Sequence, residues 1–285
     1  MPNILLVGNG AREHVLAETL VRSAHRPRLF AYMKANNPGI ADLSQEVRMG
    51  GYGDTAAIVD LARHREVDFA VIGPEDPLHA GVVDALRTAG IPAVGPSRSL
   101  ARLETSKSFT RSLLEKYGIP GNATFRVFSS MTGLEEFLAT LPEVVVKPDG
   151  LTGGKGVMVQ GDHFHAKEEA LPICRLILEE HERVIVEEKL VGEEFSLQCL
   201  CDGEHVVATP PVQDHKRRFV GDKGPNTGGM GSYSCADHLL PFLHREDILA
   251  GIEITRQVAA AIRRETGEYY RGVMYGGFMI TPAGL

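Results

Sequence analysis

The stretch KPDGLTGGKGV, residues 147–157, holds four glycines and two lysines in eleven positions. Glycine lets backbone N–H groups approach a ligand closely, and lysine adds positive charge, so the stretch points to a loop that wraps phosphate. A phosphate loop of the strand-to-helix kind needs G-x-x-x-x-G-K-[ST]. Here Asp149 stands where the first glycine is required, and Gly156 follows Lys155 where a hydroxyl is required. The flanks decide the rest: VVVKPD (144–149) and GVMVQG (156–161) both read as strands. The stretch is therefore expected to be the glycine-rich tip of a hairpin, a shape that also occurs as a plain surface turn.

Upstream, apolar strands alternate with helical patterns. NILLV (3–7), PRLFAY (27–32), VDFAVIG (67–73) and IPAVG (91–95) read as strands. Helical patterns follow NILLV, cover 55–65 with Ile58, Leu61 and Ala62 on one face, and run from the loop PEDPLH to Gly90. This alternation implies an open parallel α/β sheet over residues 1–100. The first turn carries Gly8 and Gly10, but Glu13 stands at the third glycine of a dinucleotide fingerprint. The second strand ends in Ala31 and Tyr32, with no acid for a ribose. A nicotinamide-binding domain is excluded on both counts. An anion held by the helix start and Arg12, or a tight turn with solvated charges, fits the turn equally. In GPEDPL (73–78), Glu75 and Asp76 are acceptors suited to sugar hydroxyls, and a proline-bracketed turn fits as well.

From residue 101 the composition changes. A helical pattern spans 97–117, and short strands and helices alternate through 125–181. RVIVEEKLVGEEFSLQCLCDG (183–203) reads as two strands, and 245–265 as a helix. Pro172 must distort a helix near 166–181 or mark its start. The net charge of −7 gives no general attraction to nucleic acid or anionic lipid, and no apolar run approaches the roughly 18 residues of a membrane span. MPNILLVGNG lacks the basic start of a signal peptide, so a cytoplasmic protein is expected. Cys174, Cys199, Cys201 and Cys235 form no C-x-x-C pair and are expected to be reduced thiols; no metal-ligand set is read.

Seven motifs occur in one order: GNGAREH (8–14), GPEDPL (73–78), LETSKSFTR (103–111), KPDGLTGGKGV, VEEKLVGEEFS (186–196), QDHKR (213–217) and GPNTGGMGSYS (224–234). Together they resemble the phosphoribosylamine–glycine ligase family (glycinamide ribonucleotide synthetases) of purine biosynthesis, within the ATP-grasp proteins. The resemblance runs through essentially all 285 residues. It implies an α/β protein, with an N-terminal pre-ATP-grasp substrate domain at 1–100 and an ATP-grasp α+β domain at 101–285. A lid subdomain is expected at about 122–190.

The implied reaction joins glycine to 5-phosphoribosylamine at the expense of ATP, through glycyl phosphate. Lys107 and Lys147 would touch the ATP phosphates, and Gly150, Gly153, Gly154 and Gly156 would belong to the closing loop, with the catalytic Lys155 near the outer phosphates. Glu187, Glu188 and Leu190 match the adenine hinge and Glu194 the ribose ligand. Gly10, Arg12, Glu75 and Asp76 would handle phosphoribosylamine. Asp214, Lys216 and Arg217, with the loop Asn226, Thr227, Gly228, Gly229, Met230 and Gly231, would line the space where glycine meets the γ-phosphate. A ligase for another carboxylate, or a non-catalytic nucleotide-binding fragment, stays open.

The resemblance also sets an expectation about the end of the chain. Family members use Mg²⁺ or Mn²⁺, and their metal-binding strand would lie beyond Leu285. The C-terminal part is thus expected to be truncated, with GGFMI (276–280) left as an unpaired edge. The chain alone is expected to be inactive, unless a second chain supplies the remainder. No nucleic acid or membrane partner is expected.

Overall fold

The run NILLV forms β1 (Asn3–Val7), buried at all five positions. That requires cover on both faces, and the computed structural model supplies it. It describes residues 1–150, 156–221 and 223–285, with Asn226 described by its backbone alone. The chain divides into two units, Met1–Arg102 with Thr266–Gly272, and Leu103–Glu265 with Val273–Leu285.

In the first unit, β1 is followed by α1 (Ala11–Arg22), β2 (Arg28–Met33), α2 (Pro38–Leu43), β3 (Glu46–Met49), α3 (Thr55–His64), β4 (Phe69–Ile72), α4 (Glu75–His79), α5 (Val82–Thr88) and β5 (Ala93–Val94). The strands form one parallel sheet in the order β3-β2-β1-β4-β5. Alternate side chains supply the two faces. Leu5 and Val7 pack with Ile58, Leu61 and Leu86 on one side, and Ile4 and Leu6 with Ala17, Leu29 and Ile40 on the other. The neighbours β1 and β4 start two branches that run outward in opposite directions, so the crevice beyond their carboxyl ends is a topological switch point. Gly8 and Gly73 leave the sheet there. Returning residues Thr266–Gly272 belong to this unit. A Cβ on Gly272 would lie 3.0 Å from Gly95 Cα, so the two backbones approach as only glycines allow.

The second unit contains α6 (Arg102–Thr105), whose first residue belongs to the first unit, then α7 (Lys107–Tyr117), β6 (Phe125–Phe128), α8 (Leu134–Thr140), β7 (Val144–Pro148), β8 (Met158–Val159), α9 (Ala170–Glu180), β9 (Val184–Glu188), β10 (Glu193–Cys201), β11 (Val206–Ala208), β12 (Gln213–Phe219), β13 (Lys223–Tyr233), α10 (Arg245–Thr266) and β14 (Gly272–Ile280). An antiparallel sheet has the order β6-β9-β7-β8, a three-stranded sheet the order β11-β10-β14, and β12 and β13 form a hairpin. Phe128, Leu134, Phe137, Val144, Val146, Val184 and Val186 share one core with Cys174 of α9. Pro172 falls in the first turn of α9, where its missing N–H costs nothing.

Three readings of the sequence are corrected. The helical pattern over 97–117 is broken at Ser106, which caps α7 by accepting from Phe109 N at 3.2 Å. The PEDPLH loop contains α4, with Glu75 and Asp76 in its first turn. The supposed loop Asn226–Gly231 lies within β13, its glycines drawn into a strand by pairing with β12. GGFMI belongs to β14, which is bonded to β10 on one side and stands at the edge of its sheet among the described residues, as expected. No helix among the described residues is long and apolar enough to cross a membrane.

Candidate functional site

Antiparallel register places Lys147 opposite Ile185 and Val145 opposite Glu187. Lys147 and Glu187 are thus diagonal neighbours on one face of the sheet. Lys147 Nζ donates to Glu187 Oε2 at 2.7 Å. Arg111, on α7, forks onto the same carboxylate, with Nε 3.1 Å from Oε1 and Nη2 2.9 Å from Oε2. Asn122 holds Arg111 in turn, accepting from Nη1 at 3.1 Å and donating to its carbonyl at 3.0 Å. Burial acts to raise the Glu187 carboxyl, but Lys147 and Arg111 outweigh it and hold the group below its ordinary value. Glu187 therefore aims a lysine; its carboxylate is already engaged by two cations.

Lys107 opens α7 four residues before Arg111, on the same helix face. Its Nζ donates to Gly150 O at 2.5 Å. Burial, reinforced by Lys147, holds this ammonium below its usual value although Asp149, Glu104 and Glu187 oppose the shift. Lys107 and Lys147 thus lie within electrostatic reach of each other near the base of the glycine-rich stretch. Gly150 has φ +101 and Gly156 φ +85. Gly153, Gly154 and Lys155 lie outside the described residues. At the end of β9, Glu188 Oε1 accepts from Thr124 N at 2.7 Å, and beyond it Leu190 is exposed.

A second cluster lies on β10, β12, β13 and β14. Lys216 Nζ sits 2.5 Å from Glu194 Oε1 and 3.6 Å from Asp214 Oδ2. Burial lowers the Lys216 pKa, but Glu194, Tyr275 and Asp214 reverse this and leave it raised. Ser196 Oγ donates to Asp214 Oδ1 at 3.2 Å and lies 2.8 Å from the Tyr275 hydroxyl. Thr227 Oγ1 donates to Lys216 O at 2.9 Å, while Gly228, Gly229 and Met230 are exposed. Arg217 donates to Asp162 Oδ2 at 2.6 Å.

In the first unit, Glu13 is 2% exposed. Its Oε2 accepts from Gly10 N at 2.7 Å, while Oε1 is buried without a hydrogen-bond partner and 3.6 Å from Arg12 Nε. A Cβ on Gly10 would lie 2.8 Å from Glu13 Oε2, and Cβ atoms on Gly8 and Gly73 would lie 2.9 Å and 2.6 Å from Glu13 Cδ. Three glycines thus make room for one carboxylate at the switch point. Arg12 Nη2 reaches Glu75 Oε2 at 3.5 Å, and Asp76 is exposed. The helix start read as an anion site already has its Gly10 N–H engaged by Glu13.

Sequence reading missed Glu13, Arg111, Asp149, Ser196 and Tyr275. Arg111 had a signal, its i+4 spacing from Lys107. Glu13 was noticed only for spoiling a glycine pattern.

The phosphoribosylglycinamide synthetase N-domain pattern matches residues 2–104, and the ATP-grasp (A) domain pattern of the same synthetase matches residues 105–285. Over 290 residues the chain is 49% identical to a phosphoribosylamine–glycine ligase of Methanopyrus kandleri, covering 100% of this chain and 65% of the relative. Over 286 residues it is 48% identical to the enzyme of that name from Methanothermobacter thermautotrophicus, covering 99% and 64%. The crystal structure of phosphoribosylamine–glycine ligase from Thermotoga maritima superposes with a TM-score of 0.77 at 28% identity, over 99% of this chain and 66% of that one. The chain spans about 65% of the length of the curated relatives it matches.

Proposed function

The chain belongs to the phosphoribosylglycinamide synthetase family, and from that premise we propose that it serves the ATP-dependent ligation of glycine to 5-phosphoribosylamine, giving glycinamide ribonucleotide, ADP and phosphate. The observation that carries the nucleotide half is Lys107 on the Gly150 carbonyl, within electrostatic reach of Lys147, which a buried carboxylate holds. Phosphoryl transfer from ATP to a carboxylate gathers several negative charges, and fixed cations with backbone donors lower that cost.

In this reading Lys107 and Lys147 hold the phosphates, and Glu188, Leu190 and Glu194 line the nucleoside end. The Asp214–Lys216–Thr227 cluster faces the reacting carboxylate, where the Lys216 ammonium offsets charge building on the acyl phosphate. Attack by the phosphoribosylamine nitrogen then forms the amide and releases phosphate. Glu75, Asp76 and Arg12 contact the ribose of that amine, and the segment of about 122–190 acts as the lid that keeps water from the acyl phosphate. Among the described residues no three or more His, Cys, Asp or Glu side chains are grouped to hold a metal ion.

Calorimetry with ATP, followed by ADP-release assays, tests the proposal. Saturable ATP binding by the chain is the expected result, with ADP release that requires both glycine and 5-phosphoribosylamine where a second chain supplies the rest of the relatives' length. Equal stimulation by formate or bicarbonate in place of glycine overturns the substrate assignment, and absence of ATP binding sinks the nucleotide reading.

A further inference from the structure

Asp149 sits between the end of β7 and the first glycine of the 147–157 stretch, and its carboxylate gathers donors from three residues. Oδ1 accepts from Ser108 N at 3.1 Å and from Gly150 N at 3.1 Å. The Ser106 hydroxyl donates to Oδ2 at 3.3 Å, and the Ser108 hydroxyl donates to Oδ2 in a short contact. Ser106 and Ser108 flank Lys107 at the start of α7. The Lys107 ammonium in turn donates to Gly150 O. A ring closes: carboxylate to helix start, helix start to lysine, lysine to Gly150 carbonyl, and Gly150 N–H back to the carboxylate. Burial opposes ionisation of Asp149, but the bonds from Ser108, Ser106 and Gly150 prevail and hold its pKa below the ordinary value. The group is thus an anion within electrostatic reach of Lys107.

An anion there opposes a bound triphosphate by simple Coulomb repulsion. Its benefit has to come from geometry. We infer that Asp149 is a positioning residue for the nucleotide: it locks the start of α7 to Gly150 so that the Lys107 ammonium is presented to the phosphates. The inference rests on the nucleotide reading above.

Charge and geometry predict opposite signs. Asp149→Ala removes the anion and the ring together. Asp149→Asn removes the charge but keeps an oxygen that accepts from both N–H groups, while its amide donates to the serine hydroxyls. Calorimetry of the whole chain with ATP and with adenosine separates the two effects. With positioning, Asp149→Ala weakens ATP roughly tenfold or more. Adenosine affinity is unchanged, and Asp149→Asn stays within about threefold of the parent for ATP. Thermal melting checks that each variant is folded. Should Asp149→Ala not fold, the double variant Ser106→Ala/Ser108→Ala strips the hydroxyl donors and is expected to weaken ATP severalfold, again sparing adenosine. The inference is overturned if the folded alanine variant, or the double variant in its stead, binds ATP as tightly as the parent. It is equally overturned if ATP and adenosine weaken in parallel, since that marks a general structural role. A parent chain that binds no ATP removes the nucleotide reading and the inference with it, an outcome distinct from parent binding with unaltered variants.

Discussion

Lys147 and Glu187 meet across β7 and β9, with Nζ 2.7 Å from Oε2 and Glu187 only 3% exposed. The same carboxylate takes the Arg111 fork, so one buried anion balances two cations. Removing it leaves both cations facing each other in a partly desolvated space. Glu187→Ala is expected to destabilise the fold by about 3 kcal/mol. Urea unfolding should show a lowered midpoint with an unchanged slope.

The same group gives stability a pH dependence. Its folded-state pKa lies below the ordinary 4.5. Its contribution is therefore full above pH 4.5 and is lost as pH falls through the folded value. Asp149 acts in the same direction from its ordinary 3.8. Urea midpoints followed downward from pH 7 should fall more steeply for the parent than for Glu187→Gln once the pH is below 4.5. Parallel curves would remove this assignment.

Lys107 and Lys147 should part company on substitution. Lys107→Ala frees only a backbone carbonyl, so ATP affinity should drop by roughly 10- to 100-fold with little change in unfolding midpoint. Lys147→Ala also strips Glu187 of a counter-charge, so both ATP affinity and stability should fall. Calorimetry and urea unfolding on each variant check the contrast.

At the switch point, Gly73→Ala would place a Cβ 2.6 Å from Glu13 Cδ. A cost of about 1–3 kcal/mol is expected from overpacking. In a Glu13→Ala background the clash is gone and the cost should shrink, giving a coupling energy of about 1 kcal/mol or more in a double-mutant cycle. Additive losses would show that Glu13 is not what Gly73 accommodates.

The parallel sheet was legible because NILLV and VDFAVIG are unbroken apolar runs, the mark of strands covered on both faces. EVRM, which forms β3, is short, half polar and at the sheet edge, so no period reveals it. The glycine-rich β13 has no strand propensity of its own, and only β12 makes it a strand. Motif order marked Lys107, Lys147 and Glu187. The partners that aim them, Arg111 and Asp149, act through tertiary contacts between segments about 40 to 76 residues apart; local spacing ties Arg111 to Lys107 but encodes neither long-range contact. Glu13 was hidden for another reason. Its role is set by what its glycine neighbours lack, and the missing Cβ of Gly73 lies beyond β4, five elements along the chain, where it leaves no local pattern.

The close approach of Gly272 to Gly95 has a temporal consequence. A ribosome adding roughly 5–20 residues per second releases the five strands of the first sheet well before residues 266–272 exist. For that interval, on the order of ten seconds or more, the β5 end of the sheet waits uncovered while the whole α7-to-α10 region is translated. The first unit is complete in space only once residues 266–272 have been made, so nascent chains halted anywhere between residues 102 and 266 carry an unfinished first unit.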